Sequence, residues 1–136
     1  MSLLGITKGT ELEEQVEQYL KAEAQGTVMY YGLARIATEK GLHDVAELLL
    51  KIAGDEARHA GLYSVLNGHV SQDIFTVLSQ VAKAETAGEE KINAFAQKAR
   101  QVGLDKVAEE IEAAAKDEGR HGVVLEELIK SHQNSR

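Results

Sequence analysis

The chain repeats itself. Residues 21–66 laid over residues 83–128, an offset of 62, coincide at 17 of 46 positions. The identities include Lys-Ala-Glu at 21–23 and 83–85, Gly-Leu at 41–42 and 103–104, and Val-Ala-Glu at 45–47 and 107–109. Asp-Glu-x-Arg-His follows at 55–59 and 117–121. A repeating unit that cannot bury its apolar stripe alone has to meet another one. The expected organisation is therefore one domain over residues 1–136, made of two like halves at about 10–66 and 71–130.

Each half reads as a helical hairpin. The chain has no proline, and its supply of Ala, Leu, Glu, Lys and Gln favours helix over strand. Thr10 followed by Glu13 is a capping-box pattern expected to start the first helix, with Met1–Gly9 loosely held before it. Inward stripes recur at steps of three and four, such as Val16, Leu20, Glu23, Thr27, Tyr30, Ala34 and Ala37. Terminators stand at Gly41, Asn67-Gly68 and Gly103. The third helix is expected to begin near Ser71, and the fourth to fray from Ser131. The fold class is all-α, a four-helix bundle.

Six residues on these stripes are out of place in an apolar core. Glu56 and His59 lie three apart, as do Glu118 and His121, so each pair shares a helix face. Glu23 lies 33 residues before Glu56, and Glu85 lies 33 before Glu118. Buried, unpaired carboxylates are strongly unfavourable. Two divalent cations would cancel four carboxylates while both histidines stay neutral. An oxygen-rich set with one imidazole per ion suits iron or manganese better than zinc. Ferritin-like bundles use this arrangement, with Glu from two helices and Glu-x-x-His from the other two. On that pattern Glu56 and Glu118 bridge the ions, Glu23 and Glu85 are terminal ligands, and His59 and His121 each take one ion. Asp55 and Asp117 lie one turn from the histidines and could hold an imidazole N–H.

On Glu23, Glu56–His59, Glu85 and Glu118–His121, the sequence resembles the di-iron domain of the rubrerythrins, in the ferritin-like superfamily, from roughly Thr10 to Leu128. The resemblance implies two iron ions, reduction of hydrogen peroxide to water, and protection against oxidants. It differs in two places. The rubredoxin domain of typical members needs four cysteines and this chain has none, so electrons must come from an external, rubredoxin-like donor. The family's extra glutamate, one turn past the third ligand, is replaced by Gly88, and Glu89 is the candidate to stand in, as ligand or outer carboxylate. Tyr30 and Tyr63 could line the site or be ordinary core, and their repeat partners Ile92 and Leu125 favour core. Arg58 and Arg120 are expected to neutralise nearby acids. His43, His69 and His132 are expected to face solvent.

The leading function is a peroxide-reducing oxidoreductase, with dioxygen as the alternative oxidant. The runner-up is ferritin-like iron oxidation and storage, and the third is a metal-free structural bundle. A net charge of −7 argues against nucleic acid or an anionic membrane as partner. Absence of cysteine excludes disulfides and thiol catalysis. With no signal peptide and no apolar run long enough to span a bilayer, the expected location is the cytoplasm.

Chain length adds an expectation about assembly. The metal site's two-fold requires the two His-bearing helices to be antiparallel, which makes the second and third helices parallel. Their connection must then climb about 33 Å, and Asn67–Ser71 spans at most ~17 Å. Exchange of hairpins between two chains resolves this, as a domain-swapped homodimer.

Overall fold

The computed structural model describes residues 1–135. Four helices follow in order: α1 (Glu13–Glu39), α2 (His43–Leu66), α3 (Ile74–Gln101) and α4 (Asp105–Asn134). They form two compact units, Met1–Ser71 holding the α1–α2 hairpin and Gln72–Arg136 holding the α3–α4 hairpin. The chain is an all-α, four-helix protein whose hairpins are consistent with those of a ferritin-like bundle. Among the described residues no helix is long and apolar enough to cross a membrane.

The two hairpin turns share one design. Gly41 and Gly103 sit at φ 74° and 81°, a region where a Cβ is penalised. Around them Leu42 N–H donates to the Ala37 carbonyl at 2.8 Å, and Leu104 N–H to Ala99 at 2.9 Å. These 6→1 bonds satisfy the last carbonyls of α1 and α3 and reverse the chain within three residues. The repeated Gly-Leu pair is thus the turn itself.

The seam of each hairpin is built from alanine. Buried residues are Ala34, Ala37, Ala46 and Ala53 in the first unit, and Ala82, Ala96, Ala99, Ala108 and Ala115 in the second, with Val16 and Ile129 at the ends. Eight of these form four repeat identities: Ala34/Ala96, Ala37/Ala99, Ala46/Ala108 and Ala53/Ala115. Short side chains let the helix backbones approach closely. The larger residues of the stripes lie outside this seam, for example Val45, Val107 and Leu128 at 41–45% exposure. Each hairpin therefore keeps an apolar face that two helices are too few to bury.

Four boundary expectations are corrected. Met1–Gly9 is held, not loose: Gly5 N–H donates to the Val65 carbonyl at 2.9 Å and Thr7 N–H to Leu66 at 3.0 Å. Thr10 is no helix cap, because its hydroxyl donates to the Thr7 carbonyl at 2.6 Å within that segment, and α1 starts at Glu13. The third helix begins at Ile74 rather than Ser71, since the Asp73 carboxylate accepts the Thr76 N–H at 3.2 Å and fixes the start there. The fourth helix continues past Ser131 to Asn134, where the His132 ring packs 5.1 Å from Phe75.

The held N-terminus closes around Asn67. That side chain is 2% exposed and donates to the Glu13 carbonyl at 3.0 Å and to Glu17 Oε1 at 2.9 Å. Its Oδ1 faces the Thr7 hydroxyl, and His69 Nε2 pairs with the same Glu17 oxygen. His69 and His132 are exposed, as expected, and each also has a partner. The His69 hydrogen bond, then that from Asn67, holds the Glu17 carboxyl below its ordinary value of 4.5. A carboxylate with a lowered folded pKa contributes stability above the unfolded value, and that contribution is lost as pH falls through the folded value. Urea unfolding of the wild type against Glu17→Gln should show a gap at pH 6 that closes as pH drops below about 4. A gap unchanged at acid pH would contradict this assignment.

Candidate metal centre

The six glutamates and histidines gather as two triads, each within one hairpin. Glu23 of α1 meets Glu56 and His59 of α2, and Glu85 of α3 meets Glu118 and His121 of α4. Within each triad one donor atom from every residue lies within 4.8 Å of the others. His59 Nδ1 is 3.6 Å from Glu23 Oε1 and 4.0 Å from Glu56 Oε2. The second triad repeats the first, with His121 Nδ1 3.6 Å from Glu85 Oε2. The helical spacing of three aims Glu56 and His59 at one point, and the alanine seam brings the third carboxylate within reach.

Two features of the packing fit a cation. Glu23 Oε2 and Glu85 Oε2 are both buried without a hydrogen-bond partner, an arrangement that needs an explanation in any fold. Second, glycines open the wall beside the Glu-x-x-His glutamates. A Cβ on Gly26 would sit 3.4 Å from the Glu56 carboxylate, and one on the repeat-equivalent Gly88 would sit 4.0 Å from Glu118 Oε2. The Glu118 carboxyl is raised above 4.5 by its hydrogen bond to Glu85, then by desolvation and the Glu85 charge, with His121 opposing. Carboxylates crowded enough to disfavour the charge on one of them form a donor set that a divalent ion can neutralise. The residues fit iron or manganese.

The surrounding residues divide. Asp55 and Asp117 pair with Arg58 and Arg120, three residues on, at 3.1 and 3.2 Å. In their own hairpins these aspartates bind guanidinium rather than imidazole. Tyr30 is half-buried on α1. Tyr63 stacks on Tyr19 with centroids 5.8 Å apart. Glu89 lies outside the second triad, its carboxylate over Gly119 of α4, where any Cβ would overlap it. The repeat equivalents of Glu89 and Gly119 are Thr27 and Ala57, so this contact exists in one half alone. Sequence reading missed the Gly119 partner, although the Glu/Gly against Thr/Ala exchange was there to be seen.

The chain is similar to a known protein family and to individual proteins. The rubrerythrin family profile matches residues 14–75. An uncharacterized protein of Methanocaldococcus jannaschii is 33% identical over 126 residues, 93% of this chain and 89% of that protein. Reverse rubrerythrin-1 of Clostridium acetobutylicum is 30% identical over 132 residues, 95% of this chain and 73% of its own length.

Proposed function

Because this chain belongs to the rubrerythrin family, we propose that it is a di-iron oxidoreductase reducing hydrogen peroxide to water. The observation that supports this most is the pair of like triads, each with a buried carboxylate oxygen that no protein group satisfies. In this reading Glu56 and Glu118 bridge two ions, Glu23 and Glu85 are terminal ligands, and His59 and His121 take one ion each. Iron bound there supplies Lewis acidity and one electron per ion, and manganese is the alternative metal. Two electrons and two protons convert one peroxide to two waters. The electrons return from a rubredoxin-like donor that lies outside these 136 residues, none of which is a cysteine.

The protein groups have separate tasks. The apolar faces around the triads exclude water, and the four carboxylates balance the ions' charge. Glu89, seated on Gly119, is a fifth carboxylate beside the second triad, either a direct ligand or a group that holds one. Tyr30 and the two Asp–Arg pairs stand farther out. The six ligands come together by exchange: the α1–α2 hairpin of one chain packs on the α3–α4 hairpin of a second, giving a homodimer with two centres.

The deciding experiment is anaerobic ferrous reconstitution followed by stopped-flow reaction with peroxide and with dioxygen. Peroxide should be the faster oxidant, and turnover should require an added reductant. Dioxygen as the faster oxidant, with mineral cores accumulating, would replace this reading with iron storage. Glu89→Gln should slow reoxidation, and Gly119→Ala, which displaces the same carboxylate, should slow it comparably. An unchanged rate in both variants removes Glu89 from the centre.

A further inference from the structure

The α2–α3 connection is shorter in effect than its residue count. Seven residues, 67–73, separate the helices, but the first three are tied down. Asn67 is held by Thr7, Glu13 and Glu17. His69 is held by Glu17, and its N–H donates to the Ser64 carbonyl at 3.0 Å. Gly68 abuts Gly5, both at positive φ, so closely that a Cβ on Gly68 would meet the Gly5 Cα at 3.4 Å. The N-terminal segment thus wraps the start of the linker and pins it to the first hairpin. At the far end Asp73 is fixed as the cap of α3.

We propose that residues 3–10 are a clasp that shortens an already short connection and so reinforces the exchange of hairpins with a second copy of the chain. The inference rests on the exchanged dimer proposed above. A chain closing on itself needs its connection to climb α2, 24 residues and so about 36 Å. With the clasp shut only residues 70–73 can extend, a reach of about 14 Å. With it open residues 67–73 reach about 24 Å. The clasp thus withholds about 10 Å, the equivalent of three residues of linker. Its parts have no counterpart in the repeat: Glu17, Asn67 and His69 correspond to Ser79, Ile129 and Ser131. The clasp belongs to the one joint of the chain where the partner is chosen.

The test combines linker inserts with clasp opening, read by light-scattering mass and by manganese content after loading. Gly-Ser inserts between Ser71 and Gln72 are made in the wild type and in Thr7→Ala/Asn67→Ala. An insert of about four residues should leave the wild-type chain dimeric and halve the mass of the clasp-opened chain, which keeps its manganese. An insert of about eight residues should halve the mass of both. If the four-residue insert gives the same mass with the clasp open or shut, the clasp has no such role. If the unmodified chain is already a manganese-loaded monomer, the exchanged dimer itself is wrong, and the clasp falls with it. Hydrogen exchange on the unmodified protein is the second measurement and needs no variant. The Gly5 and Thr7 amides should be protected to the same degree as the end of α2, and rapid exchange at both would overturn the clasp.

Discussion

Glu56→Ala and Glu118→Ala should each leave the protein unable to hold two irons per chain, and should abolish most of the stability that iron confers. Both residues occupy the bridging place in the proposed centre, so removing either affects both ions. Ligand binding to the native state stabilises by mass action, about 4 kcal/mol when free metal stands a thousandfold above its dissociation constant. For a chain of this size that is a rise in Tm on the order of 10 °C. The loaded wild type should therefore melt well above its apo form, while loaded and apo Glu56→Ala should nearly coincide. The apo variant should itself be no less stable than apo wild type, because it lacks a carboxylate crowded against Glu23. Two irons per chain retained in either variant would rule out the bridging assignment.

The second large effect is expected at Gly122, in the seam between α3 and α4. A Cβ built there overlaps the Thr86 hydroxyl and presses on the Ala82 carbonyl and the Thr86 nitrogen, both at 3.2 Å. Thr86 is not free to turn away at no cost, since its hydroxyl donates to the Ala82 carbonyl at 3.0 Å. Gly122→Leu should force the helices apart and lower stability by about 3 kcal/mol or more. The repeat offers a rescue. The first half has Ala24 and Ala60 where the second has Thr86 and Gly122, so the same space is divided differently. Gly122→Ala alone should destabilise, and Thr86→Ala added to it should restore most of the loss. Chemical denaturation of the four proteins in the cycle measures the coupling. Additive effects would mean that the two side chains do not compete for space. By contrast Gly54 has nothing within 4 Å of a built Cβ, and its repeat equivalent is Lys116. Gly54→Ala should stabilise α2 by roughly 0.5–1 kcal/mol.

Much of this molecule was legible from its internal repeat. The alanines common to both halves are the seam, Gly-Leu is the hairpin turn, and Glu, Glu and His form the triads. These are positions where helical periodicity and close packing leave little choice, so both copies carry the same residue. What was missed lies where the halves differ. The clasp is assembled from Thr7, Glu17, Asn67 and His69, up to 62 residues apart, with no periodicity to link them. Thr10 and Glu13 match a capping box, yet Thr10 spends its hydroxyl on the turn before it, because tertiary bonds to α2 hold that segment. The partners of His69 and His132 are likewise tertiary, and a single helix or loop carries no trace of them.

The placement of each triad within one hairpin has a consequence for how the protein is made. The α1–α2 unit ends at Ser71, so its three donor groups and its apolar face are finished while the rest is still being translated. At about 5–20 residues per second the next 65 residues alone take about 3–13 s to emerge. Through that interval the nascent hairpin presents unburied Leu, Val and Tyr side chains next to unsatisfied carboxylates. Hydrophobic surface of this kind draws chaperones and aggregates alike, whereas free metal is drawn to the carboxylates. A first ion captured during synthesis would put two positive charges in the middle of the sticky face and make it a poorer surface for indiscriminate association.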